Sequence, residues 1–192
     1  MGANPSSGKM SEKPAMSANP VPGAGSGGDV EVATFAGGCF WGLERWFRKE
    51  FGDALKSTAV GYVGGSGPAE YRAVCSGTTG YAEAIQIEFF PSKTSYKALL
   101  EYFFKIHDPT TLNRQGNDVG TQYRSGIWTH SPDQKEVAQQ VKAEMASKWA
   151  SKGPIVTEIV DGQPEDFKMG EEYHQLYLEK NPGGYCNHMP RW

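Results

Sequence analysis

The groups in this chain best able to do covalent chemistry are three cysteines, Cys39, Cys75 and Cys186. They are too few and too widely spaced for a disulfide scaffold or a paired-cysteine zinc site. An isolated cysteine is either a small buried hydrophobe or a reactive thiol, and its surroundings decide which. Cys39 sits between Gly37-Gly38 and Phe40-Trp41-Gly42, where a predicted strand gives way to a predicted helix. Unpaired backbone N–H groups and the positive end of a helix dipole favour a thiolate there. Cysteines so placed can have pKa values well below the free value of about 8.5. The flanking glycines let the backbone turn and leave the sulfur approachable. On position alone a buried core cysteine is an equal alternative, and Phe40 and Trp41 could be ordinary core aromatics. Cys75, in Val74-Cys75-Ser76, has no helix start or basic group beside it and reads as structural. Cys186 lies in a Gly- and Pro-rich tail that could carry its sulfur to Cys39 without breaking an element.

Glu83 opens a largely apolar strand between Ala82 and Ala84. In a partly dry pocket its carboxyl would hold a proton near neutrality; an exposed edge carboxylate is the plainer alternative. His107, His130, His174 and His188 are scattered, and Cys186 and His188 lack further ligands nearby, so no metal is expected. Gly61-Tyr62-Val63-Gly64-Gly65 lacks the dinucleotide glycine spacing, so no bound cofactor is expected either.

The elements that must position these groups follow from hydrophobic spacing. Val30–Gly38 alternates as a strand, and Leu43, Trp46, Phe47 and Phe51 recur at helical spacing up to Gly52. Strands are predicted over Ala54–Gly65, Ala82–Pro91, Ser125–His130 and Val156–Val160. A second helix turns Tyr96, Leu99, Leu100 and Phe103 to one side. A third, Pro132–Ser151, starts on a Ser131 cap with proline at its first position and turns Val137, Val141, Met145 and Trp149 inward. The stretch EEYHQLYLEKN reads as one short helix. The order strand-helix-strand-strand-helix-strand predicts an α+β fold, a two-layer ferredoxin-like (split βαβ) plait with additional C-terminal elements and an irregular tail over 181–192. The connections 61–82 and 108–123 are long and chemically loaded, as functional loops are.

The 192 residues suffice for one domain, taken as 30–192. A formal charge of -3 gives no electrostatic reason to expect nucleic acid or an acidic membrane surface, and no apolar run approaches the roughly 20 residues of a membrane span. Residues 1–29, rich in Gly, Pro, Ser, Ala and Asn, read as a disordered tail without an apolar leader, so a cytoplasmic location is the default.

Gly38-Cys39-Phe40-Trp41-Gly42 resembles the signature of the A-type peptide methionine sulfoxide reductases. The likeness continues through Tyr71–Gly80, His107–Ser125, Tyr173-His174-Gln175 and Gly184-Tyr185-Cys186, spanning about Val30 to His188. The resemblance implies reduction of free or protein-bound methionine-S-sulfoxide, with Cys39 as nucleophile and Glu83 as acid. It implies that Tyr71 and Tyr123 hydrogen-bond the sulfoxide oxygen, that Phe40 and Trp41 receive the substrate methyl, and that Asp118 assists turnover. Cys186 would resolve the Cys39 sulfenic acid as a disulfide, which thioredoxin, or dithiothreitol in vitro, would reduce. A monomer without bound cofactor is the expectation. Tyr81 departs from the family pattern, where histidine is usual two residues before the acid. Other classes stay open on the residues alone: a thiol peroxidase, an acyl-transferring cysteine enzyme, or a binding module using Phe40, Trp41, Tyr71 and Tyr123 as an aromatic cage.

Overall fold

The computed structural model describes residues 18–21 and 28–192. In chain order its elements are β1 (Asn19–Pro20), β2 (Glu31–Gly37), α1 (Phe40–Phe51), β3 (Leu55–Val63), α2 (Tyr71–Cys75), β4 (Ala82–Phe89) and α3 (Tyr96–Ile106). There follow β5 (Arg114–Gln115), β6 (Asp118–Val119), β7 (Ser125–Thr129), α4 (Pro132–Trp149), β8 (Glu158–Asp161), β9 (Lys168–Met169) and α5 (Tyr177–Lys180).

Four strands make the centre of the sheet in the spatial order β3-β4-β2-β7, each contact antiparallel. That is the split βαβ plait expected from the element order. α4 then crosses over so that β8 joins β7 in parallel. The far edge of β3 is covered twice, by β1 at Ser57–Thr58 and by β9 at Gly61–Tyr62.

Alternation along the strands divides the interior. Phe35, Ile85 and Ile87 face Leu43, Phe47, Leu99 and Phe103 of α1 and α3, the main core. Ala36, Ala82 and Ala84 face the other way, where Trp128 and Phe167 cover them. By the same alternation Glu83 and Tyr81 fall on the helix-covered face, close to the start of α1. α3 and α4 begin on Ser95 and Ser131, whose side chains accept from the N–H of Ala98 and Gln134.

Three details differ from the reading of the sequence. Part of the stretch taken as a disordered tail over 1–29 is ordered: Asn19–Pro20 pairs with β3, and the Asn19 amide donates to Glu44 and Gln175. The remainder of that call, residues 1–17 and 22–27, lies outside the described residues. The strand expected at Val156–Val160 runs from Glu158 to Asp161. The single helix expected over EEYHQLYLEKN is broken. A 3-10 turn at Glu172–His174 and α5 flank Leu176, which takes a left-handed conformation at φ 55°. Side-chain bonds enforce the break. Gln175 bonds to both the N–H and the carbonyl of Val60, and the Leu176 N–H donates to Glu44.

Candidate active site

The ends of β2 and α1 meet at Cys39, which caps α1. Its side chain is 7% exposed and packs in a small cluster with Phe40, Val60, Tyr62, Val74 and Tyr81, against which Trp41 and Tyr71 lie half-buried. Gly37 and Gly38 are tightly packed, not free hinges: a Cβ on Gly37 would stand 2.8 Å from Phe103, and Gly38 adopts φ +96°. The flanking glycines therefore serve close packing as much as approach to the sulfur.

Glu83 comes from the start of β4 and is 2% exposed. Its Oε2 accepts from the N–H of Phe40 at 3.1 Å, so its carboxyl sits at the helix start beside Cys39. Burial pushes its pKa up to about 8, opposed by the Phe40 N–H and helped by the charge of Asp118. The edge-carboxylate alternative does not apply, and Glu83 is an acid at neutral pH.

The thiol itself differs from expectation. Burial is the largest influence on Cys39 and raises its pKa well above the ordinary value; the charge of Glu83 raises it further. The N–H groups of Trp41 and Gly42 act the other way, as expected for a helix start, and are outweighed. When Glu83 carries its proton its charge no longer opposes a thiolate. The resting site thus holds a neutral thiol beside a neutral carboxylic acid.

Tyr71 opens α2, and its backbone N–H is held by Glu171 Oε1 at 2.8 Å. The other oxygen of Glu171 accepts from the Tyr62 hydroxyl at 2.8 Å. Tyr123 ends a 3-10 turn packed against β4. Burial raises the pKa of both Tyr71 and Tyr123, and the charge of Glu83 adds to it, so both phenols remain hydrogen-bond donors. Asp118, in the β5–β6 hairpin, accepts from Asn187 Nδ2 at 2.8 Å. Phe40 is fully buried, whereas Trp41 is half-buried, stacked on Tyr177 at 3.8 Å with its indole N–H donating to His174 Nδ1 at 3.1 Å.

Cys186 is half-buried and free, its Sγ near the carbonyl of His188 at 3.7 Å. Cys75 is also free and exposed at the end of α2. Two supporting residues had no assigned role in the sequence reading. Glu171 was not singled out at all, and His174 appeared only within a matching triplet and among the scattered histidines. His174 accepts the Trp41 N–H and packs on Phe40, Tyr71 and Tyr173; Glu171 fixes the start of α2. Among the described residues no cluster of three metal-ligating side chains occurs. A cavity of about 600 Å³, lined by Tyr96, His130 and Gln134, lies at the opposite end of the sheet and holds none of these groups.

A sequence model of the family described as peptide methionine sulfoxide reductase matches residues 31–191. The chain belongs to that family. The peptide methionine sulfoxide reductase MsrA of Azorhizobium caulinodans is 52% identical over 171 residues, covering 88% of this chain and 76% of the relative. Among solved structures, Mxr1 from Saccharomyces cerevisiae in reduced form is 41% identical with a TM-score of 0.78, covering 85% of this chain and 93% of that one. The same yeast protein in complex with Trx2 is 27% identical with a TM-score of 0.57, covering 85% and 91%. The activity of this peptide methionine sulfoxide reductase is therefore thiol-dependent reduction of methionine sulfoxide. The peroxidase, acyl-transfer and aromatic-cage alternatives fall away.

Proposed function

We propose that Cys39 attacks the sulfur of methionine-S-sulfoxide while Glu83 gives its proton to the departing oxygen. Oxide cannot leave sulfur, so the oxygen must be protonated as the new bond forms. The observation that carries this reading is the buried Glu83 carboxyl, with its pKa near 8, bonded to the N–H of the residue after Cys39. Proton transfer from Glu83 to the bound oxygen leaves a carboxylate that takes up the Cys39 thiol proton, so the nucleophile is activated only as substrate is engaged. Tyr71 and Tyr123 donate to the oxygen and stabilise the charge developing there. Trp41, braced by Tyr177 and His174, and Phe40 behind it receive the methyl group. The opposite epimer would place its oxygen against that aromatic wall, unpaired, which disfavours it. Asp118 orders the hairpin and tail around the site through Asn187.

The protonated oxygen leaves as water from the Cys39–sulfonium intermediate. Water then attacks the Cys39 sulfur, breaking its bond to the substrate, so that methionine is released and Cys39 is left as a sulfenic acid. Cys186 then displaces water to form the Cys39–Cys186 disulfide, and thioredoxin, acting as an external dithiol, reduces it. The structure of Mxr1 with Trx2 supports that partner for this chain. Both free and protein-bound sulfoxide fit the reading.

An assay on resolved S and R epimers with dithiothreitol, run on wild type, Cys39→Ser and Cys186→Ser, tests it. Reduction of S alone, absent in Cys39→Ser and retained in Cys186→Ser with this small thiol, is expected. Turnover by Cys39→Ser, or preference for R, overturns the assignment.

A further inference from the structure

The mechanism so far leaves unused one enclosed side chain close to both cysteines. His188 is 3% exposed and belongs to the irregular C-terminal stretch, not to a helix or strand. Its Nε2–H donates to the Gly37 carbonyl at 2.7 Å, a carbonyl being able only to accept. The ring lies against the first turn of α1. A Cβ on Gly42 would collide with His188 Nδ1 and stand 2.9 Å from its Cγ. A Cβ on Gly38 would meet His188 Cε1 at 3.4 Å. The absence of a side chain at position 42 thus makes room for this imidazole.

The same residue ties down its neighbours. Its carbonyl accepts from the Trp46 indole N–H at 2.9 Å and lies 3.7 Å from the Cys186 sulfur, a potential thiol donor. Asn187 reaches the Gln115 carbonyl at 2.9 Å and Asp118 at 2.8 Å. Beyond them the N–H groups of Met189 and Arg191 donate to carbonyls at the end of α3 and just before it. Two residues of chain span at most about 7 Å. A ring seated among residues 37, 38 and 42 therefore keeps Cys186 in the immediate neighbourhood of residue 39.

We propose that His188 is the positioning residue of the resolving step, its imidazole seated between Gly37, Gly38 and Gly42 so that Cys186 waits beside Cys39. The proposal rests on the reading of Cys39 as nucleophile and Cys186 as resolving thiol. In that step the Cys186 sulfur attacks the sulfur of the Cys39 sulfenic acid. The S–S bond forms, the S–O bond breaks, and hydroxide leaves with the Cys186 proton as water. The sulfoxide has already supplied the oxidation, so no other oxidant enters. Tethering raises the local concentration of one thiol at the other. Losing the tether slows this step and leaves attack on the sulfoxide unaffected.

The test is a rapid-quench single turnover of the full chain with excess methionine-S-sulfoxide and no reductant. Methionine release and disulfide formation are followed separately in wild type, His188→Ala and His188→Asn. In His188→Ala, release of one methionine per enzyme at the wild-type rate is expected, with disulfide formation at least about tenfold slower and trappable sulfenic acid accumulating on Cys39. His188→Asn, whose amide can still donate to the Gly37 carbonyl, recovers part of the disulfide rate. Disulfide formation at the wild-type rate in His188→Ala overturns the proposal. So does loss of the methionine burst in a His188→Ala protein that keeps its circular dichroism, because the ring would then serve the first step. A wild type without a burst, or with a disulfide lacking Cys39 or Cys186, defeats the underlying reading instead.

Discussion

Cys39 is 7% exposed and caps the first turn of α1 beneath a seven-stranded sheet, whereas Cys186 is half-buried in a stretch with no regular structure. The first is surrounded by Phe40, Tyr62, Val74 and Tyr81 and feels the charge of Glu83 whenever that carboxyl is ionised. The second is held by its neighbours' hydrogen bonds, chiefly those of Asn187 and His188. The difference fits the two jobs proposed for them. Attack on a sulfoxide needs a dry place where a carboxyl keeps its proton, and burial supplies that at the cost of raising the thiol's own pKa. Resolution needs only that a second sulfur be near and able to move, which a tail provides better than a helix.

The sharpest break of the comparison removes each sulfur in turn. Cys39→Ser abolishes methionine production with any reductant, measured by chromatography of the product. Cys186→Ser confines thioredoxin-supported reaction to about one turnover while dithiothreitol sustains it, because a small thiol reduces the sulfenic acid directly. Equal loss with both reductants would place Cys186 in the first step and erase the distinction.

Next in size is the acid. Glu83→Gln lowers kcat by about 10²–10⁴-fold. Since Glu83 has a pKa raised to about 8, its proton is present below that pH and lost as pH rises through it. Wild-type reduction of the sulfoxide therefore falls above about pH 8, and Glu83→Gln lacks that descending limb. A limb that persists unchanged in the variant assigns the titration elsewhere. Tyr71→Phe and Tyr123→Phe each cost up to roughly 10²-fold in kcat by removing one donor to the oxygen. Steady-state kinetics showing only a KM increase would make them binding groups. The smallest effect belongs to Tyr81, 6% exposed and packed near Tyr62 on the same strand face as Glu83. Tyr81→His shifts the pH limb without abolishing activity; superimposable profiles would disconnect the residue from the acid.

Much of this arrangement was legible in the chain. Apolar spacing located every long helix and strand to within a few residues, because burial of one face enforces it. The position of Cys39 at a strand-to-helix junction followed from local order, whereas the residues around Glu83 favoured an exposed edge carboxylate and its burial shows only in the fold. What could not be read depended on long-range side-chain bonds. β1 and β9 are two residues each, too short to show a period, and exist because the edge of β3 accepts them. The break at Leu176 needs Gln175 and Glu44 to meet across the fold. The sign of the Cys39 shift was misjudged because the helix start was visible in sequence and the depth of burial was not. Gly42, read as access to the sulfur, makes room for an imidazole from the far end of the chain.

The central claim is that reduction of the substrate oxidises the sulfur of Cys39. Reaction of Cys186→Ser protein with one equivalent of methionine-S-sulfoxide, followed by a sulfenic-acid trap and peptide mapping, tests it directly. The account predicts one methionine released for each trapped sulfur, and that sulfur on Cys39. Label on Cys75, or methionine formed with Cys39 still a free thiol, would contradict it.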